Sequence, residues 1–277
     1  MPEMSFLAID IGINPVLFNI GSFEIGWHGV MVVLAVTVGI GTSLWLAKGS
    51  GIKREDIYGL APWAVLGGIL GARLFHVGDQ LGYYIDHPGD IVEFWHGLSI
   101  LGAILGGTLA AAIYAKITRI SLGRLADTLT LGLILALMVG RIGCIINGDV
   151  FGKPTTLPWA FVYHELPGVY AFPKDTPLHP SPLYEMIWCI VVFAIIWKLR
   201  GKLKPEGALF LLFLILYSAG RFGIEFTRGV SEQSFEIGGW HTPHFIALVT
   251  LAVCIPLLVY RMKKARLSGC GSKIEDV

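Results

Sequence analysis

The sequence has few charged residues, which make up 15% of its 277 residues, whereas ordinary soluble domains have about 25%. Basic residues are not in excess, because the formal net charge is +1, and this excludes a nucleic-acid-binding protein with a basic face. The four cysteines are scattered without a CxxC pair or histidines at metal-binding spacing, so no disulfide framework, metal or cofactor is expected. The chain is instead 54% hydrophobic with 35 glycines, a composition that favours closely packed membrane helices.

Seven apolar runs are long enough to cross a bilayer, since about 20 helical residues span about 30 Å of hydrocarbon. They cover Trp27–Ala47, Ile57–Val77, Leu98–Ile117, Leu125–Ile146, Leu183–Leu199, Ala208–Phe222 and His244–Tyr260. The sequence therefore predicts an all-α polytopic membrane protein with seven transmembrane helices and a small extracytoplasmic cap. Residues 1–277 are expected to form a single integral-membrane domain.

The lysine and arginine residues predict the orientation, because short cytoplasmic loops retain positive charge. Of the 21 basic residues, 15 lie in the segments 48–56, 116–124, 198–206 and 261–277. This places the N-terminus outside and the C-terminus inside. Residues 1–26 are then an external N-terminal arm, residues 261–277 a cytoplasmic tail, and the proline-rich residues 147–181 an extracytoplasmic cap.

Three arginines lie in or at the end of apolar runs, Arg73, Arg141 and Arg221. Arg73 is the least informative, because ending the second span or holding its neighbours together would explain it, whereas Arg141 and Arg221 lie near the outer ends of their runs. A charged side chain at the bilayer centre costs about 2.5–3.5 kcal/mol on insertion scales, so each needs an explanation. In a structural explanation, Arg221 pairs with Glu225 and Arg141 pairs with Asp149 or reaches the interface. Two guanidiniums at one membrane level favour a functional one instead, because such planar groups bind phosphate through two hydrogen bonds. Helical spacing of 4, 8 and 11 residues from Tyr217 places Tyr217, Arg221, Glu225 and Arg228 on one face.

Other notable residues have ordinary structural explanations. Two small-residue pairs at a spacing of four predict close helix packing: Gly67 with Gly71, and Gly102 with Gly106. Ser181 is expected to be the N-cap of the fifth span, and Glu185 is expected to complement the dipole of that helix. His28 could be an interfacial residue, a hydrogen-bond donor to phosphate or a base.

Four motifs in order resemble those of the bacterial prolipoprotein diacylglyceryl transferase family. Residues 140–152, GRIGCIINGDVFG, resemble its Gly-Arg-x-Gly-Asn-x-x-Asn-x-Glu-x-x-Gly signature, and residues 179–185, HPSPLYE, resemble its His-Pro-Ser/Thr-Gln-Leu-Tyr-Glu. Residues 217–228 match its Tyr-x-x-x-Arg-x-x-x-Glu-x-x-Arg, and residues 27–29, WHG, stand where the family has Trp-Tyr-Gly.

The resemblance implies an enzyme of the bacterial inner membrane that transfers diacylglyceryl from phosphatidylglycerol to the lipobox cysteine of exported preproteins, releasing glycerol phosphate. It implies that Arg141 and Arg221 bind the phosphate and stabilise the leaving group. The residues expected to shape the rest of the substrate site are Cys144, Asn147, Asp149, Gly152, Tyr217, Glu225 and Arg228.

The sequence departs from the family where a histidine of the third span, proposed as the base, is replaced by Leu101. Cys144 replaces an asparagine, Asp149 a glutamate, His28 a tyrosine and Pro182 a glutamine. Two explanations stay open for the proton: His28 accepts it, or the thiol of pKa about 8.5 ionises without a base. A non-catalytic paralogue that binds or moves anionic phospholipid is the alternative function.

Overall fold

The computed structural model describes residues 8–21, 23–93, 97–148, 150–164, 175–229, 236–237 and 240–271. The helices in these ranges are α1 (Trp27–Leu46), α2 (Arg54–Asp79), α3 (Leu81–Asp86), α4 (Ile100–Ile117), α5 (Leu122–Asn147), α6 (Ser181–Leu199), α7 (Ala208–Glu225) and α8 (Thr242–Gly271). All except the short α3 are long and apolar enough to cross a membrane, α8 over Thr242–Leu267. The predicted class is confirmed: the chain is an all-α multi-pass membrane protein, and its described ranges contain seven apolar spans.

Short strands lie outside the helices. They are β1 (Ile9–Ile11), β2 (Val16–Ile20), β3 (Phe23–Gly26), β4 (Phe161–Tyr163), β5 (Glu236–Ile237) and β6 (Trp240–His241). β1 pairs in parallel with β4, whereas β2 with β3 and β5 with β6 form antiparallel pairs. The hydrophobic pattern does not predict these strands, because two to five residues are too few to establish an alternation.

The chain divides into two compact units, and one of them is Ser43–Thr128. Its helices α2 and α4 approach closely through the predicted glycine pairs. A Cβ atom on Gly71 would lie 2.8 Å from Cα of Gly106, and one on Gly67 would lie 2.9 Å from the carbonyl oxygen of Gly106. Glycine is therefore required at this contact, as the spacing predicted.

In the same unit, Arg73 is 3% exposed and has a structural role. Its guanidinium donates to the backbone carbonyls of Ile91 (2.9 Å), Gly97 (3.0 Å) and Asp90, and it lies over the ring of Tyr84. These contacts hold the chain after α3 against α2.

The second unit is formed by Met1–Thr42 and Leu129–Val277. In it α6 packs on α7 and α7 on α8, around a core that includes Val192, Ile196, Leu211, Phe213 and Ala247. A small second core forms outside the helices, where Phe161 and Tyr163 of β4 pack with Leu178. Tyr163 donates its hydroxyl to the carbonyl of Ile145 at 3.0 Å, which fixes this layer on the end of α5. The division of the chain into arm, membrane domain, cap and tail stays a prediction.

Candidate functional site

Arg141 and Arg221 meet at one buried carboxylate, Glu185, which is 2% exposed. Arg141 donates from Nη2 to Oε1 of Glu185 at 2.5 Å. Nη1 of Arg221 lies 3.9 Å from the other carboxylate oxygen, Oε2. The three residues belong to α5, α6 and α7, so the packing of three helices brings both guanidiniums to one place.

α7 and the chain just after it supply the rest of the site. Tyr217, Arg221 and Glu225 lie in α7 at the predicted helical spacing, whereas Arg228, predicted on the same helical face, lies three residues beyond the end of the helix. The hydroxyl of Tyr217 donates to Oε1 of Glu185 at 2.6 Å. Oε2 of Glu225 lies 2.7 Å from Nη1 of Arg221 and 3.6 Å from Nη1 of Arg228. The predicted pairing of Arg221 with Glu225 is therefore present, and it is one part of a larger network. We refer to Arg141, Glu185, Tyr217, Arg221, Glu225 and Arg228 as the arginine cluster.

The arginine cluster has an excess of positive charge. It contains three guanidiniums and two carboxylates, so its net charge is one positive. Burial, and secondly the charge of Arg221, lower the pKa of the Arg228 guanidinium, but arginine stays protonated in proteins because its ordinary pKa exceeds 12. The single negative charge of a phosphodiester would balance this excess, and in a site shielded from water the attraction is stronger than on a surface.

Two glycines next to the arginines allow the helices to pack this closely. A Cβ atom on Gly220 would collide with the indole of Trp188, whose Nε1 donates to the carbonyl of Leu216 at 2.9 Å and so connects α6 with α7. A Cβ atom on Gly143 would lie 3.0 Å from Cβ of Met31 and 3.4 Å from Cα of His28. The start of α1 therefore packs against α5 beside Arg141.

Gly152 has a packing role at the edge of the arginine cluster. It forms an antiparallel bridge with Arg228, and a Cβ atom at this position would collide with the backbone of His179. The absence of a side chain lets the segment around Gly152 lie between the chain that enters α6 and the chain that leaves α7. This contact fixes the backbone of Arg228.

Two predictions for the start of α6 are wrong. Ser181 is the first helical residue and gives no N-cap hydrogen bond. Its hydroxyl instead lies 3.2 Å from the hydroxyl of Thr227, just after α7. Glu185 lies beyond the first turn of α6 and joins Arg141 to Arg221, so complementing the helix dipole does not account for it. Glu185 is the member of the arginine cluster that the sequence pattern missed, and the signal that could have found it was a carboxylate in an apolar span.

Four other predicted site residues are not members of the arginine cluster. Sγ of Cys144 is buried and lies 3.7 Å from Nη1 of Arg141. Asn147 is the last residue of α5, and His28 is half-buried at the start of α1. Asp149 lies outside the described residues.

A hydrogen-bonded aromatic group lies beside the entry to α6. The hydroxyl of Tyr184 accepts from Nε1 of Trp159 at 3.0 Å and is 3.3 Å from Nδ1 of His179. Burial, and secondly the positive charge of Lys153, lower the pKa of His179, so its imidazole is neutral at neutral pH. Within the described ranges, no group of three or more His, Cys, Asp and Glu side chains could hold a metal ion.

Comparison with known proteins gives one consistent result. A family model described as "Prolipoprotein diacylglyceryl transferase" matches residues 15–260. A protein of Nostoc sp. is 36% identical over 273 residues, which cover 95% of this chain and 94% of that protein. A protein of Acaryochloris marina is 35% identical and covers 90% of each chain, and one of Dehalococcoides mccartyi is 34% identical, covering 93% of this chain and 97% of that protein. All three are named phosphatidylglycerol–prolipoprotein diacylglyceryl transferase.

Proposed function

The chain belongs to the prolipoprotein diacylglyceryl transferase family, and from this premise we propose that its arginine cluster is the catalytic centre of that transfer. The substrates are phosphatidylglycerol and a prolipoprotein, and the acceptor group is the thiol of the lipobox cysteine. One observation supports the assignment above the others: Arg141 and Arg221, from different helices, contact the two oxygens of the same buried carboxylate.

The transfer forms one bond and breaks one bond. The sulfur of the preprotein cysteine attacks the lipid glycerol carbon that bears the phosphate, so a C–S bond forms and the C–O bond to phosphate breaks. The bonding electrons leave with glycerol phosphate, and the thiol proton is released. Arg141 and Arg221 bind the phosphate as its negative charge increases, and because Glu185 already holds them, little reorganisation accompanies the step.

The remaining residues support this pair. Glu225 and Arg228 hold Arg221 in place through the contacts at the end of α7. Tyr217 orients Glu185. The other residues at the end of α5 and just after it complete the headgroup site; these are Cys144, Asn147, Asp149 and Gly152.

His28 is the proton acceptor in this proposal. The family's histidine is replaced by Leu101, which cannot accept a proton, whereas His28 lies at the end of α1 that packs on Gly143, two residues from Arg141. An imidazole is the side chain that most often acts as a general base in enzymes. The His28→Ala variant should lose activity most strongly below the thiol pKa. Normal activity of this variant would mean that the thiol ionises unaided.

The basic segments support an orientation in the bacterial inner membrane. With the N-terminus outside and the C-terminus inside, the arginine cluster lies near the outer leaflet, where exported preproteins emerge. Cysteine labelling of an engineered residue in the tail, by a reagent that cannot cross the membrane, tests this orientation. Labelling from outside in intact cells would contradict it.

The decisive experiment measures product directly. The purified protein is incubated with phosphatidylglycerol and a lipobox peptide, and the diacylglyceryl thioether is detected by mass spectrometry. Arg141→Ala and Arg221→Ala should each reduce kcat by about 100-fold to 1,000-fold, as expected for loss of one preorganised donor. Arg200→Ala removes an exposed arginine at the end of α6 and is the control. No thioether from the wild type, with lipid binding intact, would refute the proposal in favour of a lipid-binding paralogue.

A further inference from the structure

A fully buried imidazole, that of His244, lies at the start of α8, with 0% of its surface exposed. Its Nδ1 accepts a hydrogen bond from the backbone N–H of His241 at 3.1 Å. A ring nitrogen that accepts cannot also hold a proton, so in the neutral ring the proton lies on Nε2. His244 is therefore a hydrogen-bond donor with a fixed tautomer.

This donor has no acceptor in the part of the chain that the structure describes. Nε2 of His244 is buried and makes no hydrogen bond there, and Nδ1 of the neighbouring His241 is in the same situation. Leaving a buried donor unsatisfied costs free energy, and most buried polar atoms in native proteins have partners. Two such atoms side by side indicate that a ligand supplies the missing partners.

The imidazole lies beside the arginine cluster. Its ring centroid is 5.2 Å from that of Phe222 and 4.6 Å from that of Phe226. Phe222 directly follows Arg221 in α7, and Phe226, the C-cap residue of that helix, directly follows Glu225. The charges of Arg221 and Glu225 both act on the imidazole. A ligand whose phosphate is bound by the guanidiniums would thus have its next atoms near His244.

The surroundings of His244 suit an uncharged group. Aromatic rings form them, with Trp240 at 5.7 Å in addition to the two phenylalanines, and ligand sites commonly combine such apolar walls with a few hydrogen-bonding atoms. Beyond its phosphate, the phosphatidylglycerol headgroup is a neutral glycerol with two hydroxyls. We propose that Nε2 of His244 donates a hydrogen bond to a headgroup hydroxyl of phosphatidylglycerol. This inference rests on the proposed function and adds a headgroup-binding residue to it.

The test removes either the proposed donor, by substitution of His244, or the proposed acceptor, by use of a lipid without headgroup hydroxyls. Wild type and His244→Phe are assayed with phosphatidylglycerol and with phosphatidylpropanol, whose headgroup lacks hydroxyls but leaves as an equivalent phosphate. His244→Phe should lower kcat/KM for phosphatidylglycerol about tenfold, equivalent to about 1.4 kcal/mol, and should leave kcat/KM for phosphatidylpropanol unchanged. His244→Gln, which restores an N–H donor, should recover part of the loss. An equal loss with both lipids would overturn the proposal, because a merely structural role lowers both.

Two further measurements make every outcome interpretable. Phe245→Leu changes the next residue of α8, a partly exposed ring packed on Trp240, and should leave the ratio between the two lipids as in the wild type. Displacement of fluorescent phosphatidylglycerol from the protein in micelles measures the same lipid preference without turnover. A wild type that binds both lipids equally would overturn the role of His244 even if His244→Phe does not fold. A wild type that prefers phosphatidylglycerol but forms no thioether would instead refute the proposed function alone.

Discussion

Replacing Glu185 with glutamine should separate its positioning role from simple charge balance. The substitution removes the carboxylate that Arg141 contacts at 2.5 Å and that lies 3.9 Å from Arg221. Removing one partner of a buried ion pair costs about 3–5 kcal/mol. We expect about 3 kcal/mol, at the lower end, because the side chain of Arg141 is 18% exposed and can draw water and because glutamine can still accept from Tyr217.

Activity should change differently from lipid affinity. The net charge of the arginine cluster rises by one, so KM for phosphatidylglycerol should stay the same or fall. Because the guanidiniums of Arg141 and Arg221 are then no longer held on one carboxylate, kcat should fall about 100-fold, which corresponds to about 2.7 kcal/mol in activation free energy. Thermal unfolding in detergent and steady-state thioether formation measure the two effects. Glu24→Gln, which neutralises an exposed carboxylate, is the matched control. Wild-type kcat in Glu185→Gln would refute the positioning role.

Three shorter predictions follow from the packing and the exposed layer. Gly106→Leu should lower the free energy of unfolding by about 1–3 kcal/mol or more, because no space exists between α2 and α4; an unchanged Tm would contradict that packing. Gly152→Ala should reduce kcat/KM at least tenfold, since its methyl group meets the backbone of His179; wild-type kinetics would contradict this. Nδ1 of His164 donates to Oδ1 of Asp175 at 2.6 Å, and this hydrogen bond raises the pKa of His164. Its stabilising contact is present below the ordinary pKa and is lost as pH rises through the raised one, so His164→Asn should lower Tm at pH 5.5 and not at pH 9, as differential scanning fluorimetry would show.

The sequence predicts what depends on local chain geometry. Seven apolar spans follow from length and composition, and each predicted run overlaps one apolar helix. Helical geometry alone predicts that Arg221 contacts Glu225, four residues later, and the structure has that contact. The sequence also identifies Arg141 and Arg221 as candidate site residues, because placing an arginine in an apolar run costs free energy wherever its partner lies.

The missed features depend on contacts between distant segments. Glu185 is 44 residues from Arg141 and 36 from Arg221 in the sequence, and only the packing of three helices joins them. The bridge between Gly152 and Arg228 also joins distant segments. Its glycine appears in a motif, but the reason for that glycine, the backbone of His179, is visible only in the folded chain. Periodicity within one segment cannot supply such information.

Under the proposed function, the two carboxylates of the arginine cluster also explain how one site can bind a phosphodiester and release a phosphate monoester. The diester has one negative charge, which matches the net positive charge of the cluster, whereas the leaving monoester approaches two negative charges at neutral pH because its second pKa is near 6. Three guanidiniums without these carboxylates would bind the monoester product more tightly than the diester substrate. Glu185 and Glu225 compete with it for the same N–H donors, so they keep the guanidiniums positioned between turnovers and weaken the hold on the product.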